Sequence, residues 1–303
     1  MSTFPVRKVI VKKATSTKKA SSTIKTSNLK YRPQIRSRHP SHATLRQGLP
    51  TLPVRSIVRL GSTTTLSESA MEGRVEVNTV NSVSTSSNKR LMKNAFIKAG
   101  VKTAQGFEYV KGNIFKDMST AKEYKLEELP YPIVAKSLHG SRGEGNFLIE
   151  LPEDMKEWLS RYTPSNSIFE KFHPYNREYR IHVTEDGCFY TCRKVLKKDT
   201  PEEYRWFRND TNSTWIVEEN SLFEKPSNWN KIVAESVKAL KAVGLDIGAI
   251  DVRVQNEITA KGKKRLEPDF IILETNSAPS FGEITTKKYL AEIPKVILKK
   301  AGI

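Results

Sequence analysis

FIILETNSAPSFGE, residues 270–283, decides how the rest of the chain is read. Its first four residues are an apolar run, the mark of a strand buried on both faces. A carboxylate, Glu274, and a carboxamide, Asn276, follow two positions apart, and Pro279 comes soon after. Side chains alternate along a strand, so Glu274 and Asn276 share a face. A second acid, Asp251, follows apolar residues in AIDVRV (249–254), which reads as a neighbouring strand. Two carboxylates and an amide oxygen form a hard, all-oxygen set that suits Mg2+ or Mn2+ bridging phosphates. With no cation, such residues cap loop backbone at the strand ends or stand buried at a cost.

Phosphates need cations and close backbone. GSRGEG (140–145) sets three glycines between two strands, and Arg142 adds charge. By itself this is a plain hairpin turn. No Gly-Lys-Ser/Thr opens a helix after it, which excludes a Walker loop, and the dinucleotide fingerprint is absent too. Lys136 changes its weight. A lysine in the apolar strand PIVAKSL pays desolvation unless it meets an anion, so Gly140, Ser141, Arg142 and Gly143 become candidates for cradling phosphate beside it. IFEKFHP (168–174) offers extended backbone to a purine edge, with Glu170 and Lys171 at its centre; read alone it is an ordinary strand with surface charge. NREYRIHV puts Glu178 and Arg180 on one strand face, with His182 next in line. Arg193 and Lys194 follow, then Arg208 and Asn209. Basic groups from successive strands suit a site where anionic oxygens gather; the plainer reading is cross-strand ion pairing.

The chain has 303 residues and a formal charge of +18. Residues 1–60 hold seven Lys, seven Arg and no acid, which leaves +4 for all the rest. Residues 1–28, rich in Lys, Ser and Thr, read as a disordered basic arm. It is an arm for nucleic acid or another acidic partner, or a solvated tail. Residues 29–88 read as a short α/β unit, with RSIVRLGST as its clearest strand. In residues 82–101, a helix capped at Ser86, Ser87 or Asn88 carries an apolar stripe of Leu91, Phe96 and Ile97 and stops at Gly100. Strands and helices then alternate with short turns, an α+β order with antiparallel pairs. No apolar run is long enough for a membrane span, and no signal peptide is expected. Cys188 and Cys192, four apart in one strand, match neither a disulfide framework nor a zinc spacing and fit a reducing, cytoplasmic compartment.

In this order, NKRLMKNAFIKAGV, PIVAKSLHGSRGEGNFLIE, FEKF, REYRIHV, GAIDVRV and ILETNSAPSF resemble the ATP-grasp carboxylate–amine ligases, notably the glutamate ligases that extend a ribosomal protein tail. The likeness covers residues 86–300. It implies an α+β ATP-grasp fold over residues 89–303, two α+β subdomains gripping ATP, with residues 29–88 as an abbreviated preceding unit. It further implies Mg-ATP as cofactor and an acyl phosphate formed from a carboxylate, which an amine then displaces. Lys136 and the glycine loop would meet the phosphates, with Lys89 upstream. Glu170 and Lys171 would hold adenine, and Glu178 the ribose. Arg180, Arg208 and Lys194 would face the acyl phosphate, and Asp251, Glu274 and Asn276 the metal. Ser280 stands where such ligases usually carry Gly, which marks the acceptor side as divergent. RLGST also resembles short versions in ATP-grasp proteins of tailed bacteriophages. Arg59, Asn78 and Asn81 are acceptor-site candidates, and a protein or peptide acceptor suits so short a covering unit. Two alternatives stay open: a nucleotide-binding structural protein docked by its arm, and a kinase using the same ATP site.

Overall fold

The computed structural model describes residues 29–37, 39–140 and 145–303. The expectations for residues 1–28 and for Ser141, Arg142 and Gly143 lie outside them. β1 (Gln34–Arg36), α1 (Ala43–Gly48), β2 (Arg55–Arg59), α2 (Glu68–Met71) and β3 (Arg74–Val77) form the first unit, a three-stranded parallel sheet in the order β1-β2-β3.

The helical pattern after it divides in two: α3 (Val80–Ser87) and α4 (Lys89–Ala99). Asn88 makes the break. It sits in extended backbone, and its Oδ1 accepts from the Arg90 and Leu91 amides at 3.0 and 3.1 Å. Gly100, at φ 65°, ends α4 in the left-handed conformation that glycine adopts freely. The buried face of α4 differs from the expected stripe. Met92, Lys93 and Phe96 point inward while Leu91 is exposed, because a buried acid receives the Lys93 ammonium.

Next come β4 (Gly106–Lys111), β5 (Ile114–Asp117), β6 (Glu123–Lys125), β7 (Ile133–Ser137), β8 (Asn146–Ile149), α5 (Pro152–Arg161) and β9 (Ser167–Lys171). Their strands form an antiparallel six-stranded sheet, β6-β5-β4-β9-β7-β8. Phe107, Phe115, Ile133, Met155, Trp158 and Phe169 fill the core between this sheet and α5. The last third holds β10 (Arg177–Thr184), β11 (Gly187–Leu196), β12 (Ser213–Val217), α6 (Trp229–Ala242), β13 (Ile247–Val254), β14 (Phe270–Asn276) and α7 (Glu283–Ala301). Its antiparallel sheet runs β12-β11-β10-β13-β14. One face, through Tyr179, Ile181, Val183, Ile250 and Val252, packs on α4 and α6. That burial leaves the alternate residues of the same strands for the opposite, polar face.

α7 closes the far end. Its Tyr289, Ile293 and Ile297 share a core with Leu45, Val58, Val75 and Val77 of the first unit, so the two ends of the chain hold each other in place. Among the described residues, no helix is long and apolar enough to cross a membrane.

Candidate active site

Register builds the site. On the five-stranded sheet, Arg180 of β10 lies opposite Asp251 of β13, and Asp251 lies opposite Glu274 of β14. A register shift next to Asp251 leaves Leu273 as the extra residue of β14, so that Glu274 meets Asp251. Arg180 clamps Asp251 through both carboxylate oxygens, Nε to Oδ1 at 2.7 Å and the terminal amine to Oδ2 at 2.8 Å. Burial opposes ionisation of Asp251, but the Arg180 guanidinium outweighs it and lowers the pKa. Glu274 goes the other way: burial and the Asp251 charge push its carboxyl up. Among the described residues, Glu274 accepts no hydrogen bond. Asn276 follows on the same face, and its buried Nδ2 has no partner there.

One step along the sheet, Glu178 lies opposite both Lys194 and Arg253. Its Oε2 pairs with Arg253 Nε at 3.1 Å and with Arg208 at 3.8 Å. Arg208 donates to the Asn176 carbonyl, and its own carbonyl accepts from Lys194 Nζ at 3.1 Å. Burial pulls its guanidinium down to about 10, with Glu178 opposing and the nearby Arg253 and Arg193 charges adding to the drop.

The six-stranded sheet faces this group with Lys136 of β7 and Glu170 of β9. They are diagonal neighbours on one sheet face and ion-paired. Lys89, the first residue of α4, donates from Nζ to the Gly140 carbonyl at 2.5 Å. Burial lowers its pKa, with the Glu274 charge opposing and Lys136 adding to the drop, so it stands between the two sheets.

Twelve of the site residues expected from the sequence line a single cleft of about 480 Å3 between the two sheets: Lys89, Lys136, Gly140, Glu170, Lys171, Glu178, Arg180, Lys194, Arg208, Asp251, Glu274 and Asn276. Others fall elsewhere. Arg193 pairs with Tyr179 in register and so faces away, with its guanidinium over the Tyr179 ring. Asn209 is a turn residue, accepting from the Thr211 and Asn212 amides. The acceptor candidates do not reach the cleft. Arg59 is buried against Glu76 (2.6 Å) and the Thr64 carbonyl. Asn78 is buried and ties the Arg59 and Ile247 carbonyls to the Asp246 amide. Asn81 is exposed on α3.

Sequence reasoning missed Lys93, Arg253, His39 and the aromatic pair Trp206–Phe207, the last four lining the cleft. Lys93 had a signal, since it lies one helical turn after Lys89 and so shares its side of α4. The others sit in loops or opposite charges that no local pattern marks.

No protein-family model matches the chain, and no curated protein matches it in sequence. Solved structures do match it. Biotin carboxylase from Campylobacter jejuni, in a β,γ-ATP complex, superposes at TM-score 0.54 with 17% identity, over 82% of this chain and 55% of that one. D-alanine–D-alanine ligase from Bacillus anthracis, with ATP, gives 0.53 and 14% identity over 81% and 78%. N5-carboxyaminoimidazole synthase from Aspergillus clavatus, with ADP and 5-aminoimidazole ribonucleotide, gives 0.50 and 18% over 80% and 57%. The fold is the ATP-grasp fold. The chain spans just over half the length of the first and third of these proteins. At such identities the likeness is one of fold, and the ATP-grasp frame says where the cleft lies, between its two sheets.

Within that frame the donor set for a cation can be tested. No three His, Cys, Asp or Glu side chains converge among the described residues. The oxygens at hand are two carboxylates and one amide. This set fits Mg2+ by its hardness. It also fits by charge, because a bound cation would relieve the raised pKa of Glu274.

Proposed function

We propose that the protein is an ATP-dependent carboxylate–amine ligase working through an acyl phosphate. One observation carries this reading: cations from one sheet (Lys136, with Lys89) and acids plus an arginine from the other (Asp251, Glu274, Arg180) meet in one cleft. Lys136 and Lys89 bind the nucleotide phosphates, the Glu170–Lys171 segment borders adenine, and Glu178 takes the ribose hydroxyls. Asp251, Glu274 and Asn276 would hold Mg2+, which offsets phosphate charge when bound. Arg180, Lys194 and Arg208 hold the anionic oxygens of the acid and of the transferred phosphoryl group. The acid's oxygen bonds to the γ-phosphorus as ADP leaves; the amine nitrogen then bonds to the acyl carbon as phosphate leaves. No side-chain nucleophile is required, so positioning and charge stabilisation do the work.

The test is product analysis. Purified protein is incubated with Mg-ATP and pooled amino acids, with and without lysate, and ADP, AMP and phosphate are measured. ADP plus phosphate that depends on added substrate, and is lost in Glu274→Gln, is the expected result. AMP, or turnover unchanged in the variant, overturns the reading. A phosphorylated product without free phosphate would point to a kinase instead.

The acid-free first sixty residues are, in this proposal, a docking segment for an acidic partner or nucleic acid. Removing residues 1–28 should leave nucleotide turnover unchanged and weaken partner binding most at low salt. Lost turnover would place the arm in the active site. Free Cys188 and Cys192 suit a reducing cytoplasm.

A further inference from the structure

Lys93 is a cation where α4 turns its apolar side, and it is 1% exposed. Its ammonium has three N–H donors. All three are engaged inside the protein, by Glu170 Oε1 at 2.5 Å, Thr103 Oγ1 at 2.7 Å and the Ala104 carbonyl at 2.9 Å. Lys93 does not line the cleft, so it has nothing left for a ligand. The other oxygen of Glu170 accepts from Lys136, which does line the cleft. One buried carboxylate thus serves two ammoniums, and the cluster carries a net positive charge. The contact continues beyond Lys93. Thr103 Oγ1 donates to the Ile272 carbonyl at 3.0 Å, on β14, two residues before Glu274. A polar chain therefore runs from Lys136 on one sheet, through Glu170, Lys93 and Thr103, to the strand carrying Glu274 on the other.

We propose that Lys93 is a positioning residue: it keeps Glu170 ionised and occupied, so that Lys136 can leave Glu170 and meet the phosphates of a bound nucleotide. The inference rests on the nucleotide reading of the cleft. The physical reason is the cost of a lone buried charge. Once Lys136 turns to phosphate, Glu170 would be stranded without Lys93. Two other titratable groups feel the Glu170 charge. Lys89, at the start of α4, uses a donor on the Gly140 carbonyl, and burial lowers its pKa. His173, just past β9, is also held toward its neutral form by burial. Neither replaces the direct ion pair.

Full-length protein and Lys93→Met are titrated with Mg-ADP by calorimetry, at about pH 6 and about pH 8, in buffers of different ionisation heat. Melting curves first confirm that each variant is folded. Lys93→Met should bind roughly ten- to hundredfold more weakly at the higher pH, the worth of one charge-assisted hydrogen bond. Its binding should also take up a proton, on Glu170, that the parent does not, so the affinity gap narrows toward the lower pH. A merely structural role would not move that proton count. Lys93→Gln keeps a donor but loses the charge, and gives the same readout where the methionine variant does not fold. Parental affinity, or weaker affinity with no extra proton uptake, overturns the proposal. A parent protein that does not bind Mg-ADP overturns the nucleotide reading itself, and this inference falls with it.

Discussion

Glu170 on the six-stranded sheet and Glu274 on the five-stranded sheet border the same cleft, yet their surroundings treat them in opposite ways. Burial works against the charge of both. Glu170 accepts from Lys136 and Lys93, which outweigh burial and hold it at about 2. Glu274 faces Asp251 instead, whose charge adds to burial and pushes it up. Arg180 is committed to Asp251 through both oxygens, and the Lys89 and Lys136 charges do not outweigh burial and Asp251 at Glu274. One sheet thus carries an acid already neutralised by the protein, and the other an acid still short of positive charge. The first arrangement suits an anchor for the two lysines and the second a site for a cation.

The sharpest break of this contrast is Glu274→Gln. It should lower turnover by about a thousandfold, the scale of losing a key electrostatic group, while the melting temperature holds or rises because a like-charge contact is gone. A lowered melting temperature would mean that Glu274 is structural. Glu170→Gln should do the reverse and destabilise the fold by about 3–5 kcal/mol, since it strands buried Lys93. Urea titration measures this, and a change below about 1 kcal/mol would show that the lysines do not depend on the acid. Lys136→Ala should weaken Mg-ATP binding by roughly tenfold to a hundredfold, one charge-assisted contact. Equal affinity would make Lys136 a partner for Glu170 and nothing more.

The smallest effect is in the pH dependence of stability, and its sign separates the two acids. The folded pKa of Glu170 lies below its unfolded value of about 4.3. Its contribution is therefore full above that value and fades as pH falls toward 2. The folded pKa of Glu274 is raised, so stability declines as pH rises through it. Denaturation across mildly acidic to neutral pH should show this decline in the parent and not in Glu274→Gln. Matching curves would remove the contrast.

Much of the site was legible because it is written within single strands. Period-two alternation places Glu178 with Arg180, and Glu274 with Asn276, whatever the rest of the chain does. The same rule shows why Arg193 and Lys194 could not both face the cleft; adjacency in sequence means opposite faces, and which one is inward depends on where Tyr179 packs. The shifted stripe of α4 has a similar cause. A lysine at position 93 reads as solvent-facing until an acid from β9 is found across from it. Arg59 and Asn78 read as acceptor-site candidates, but Glu76 and the backbone at 246–247 take up their hydrogen-bonding groups.

What the amino-acid order determined alone was local: the strands and helices, the Gly100 stop, the oxygen-rich end of β14 and the concentration of charge in the first sixty residues. These follow from backbone sterics, alternation and composition, which act over a few residues. The tertiary structure decided which charges meet. The offset at Leu273 brings Glu274 opposite Asp251, and β9 brings Glu170 between two lysines that lie 43 positions apart in the sequence, at 93 and 136. It also placed α7 on a sheet more than two hundred residues upstream. Coulomb interactions and burial depend on distance in space, and local patterns in the chain do not encode that distance.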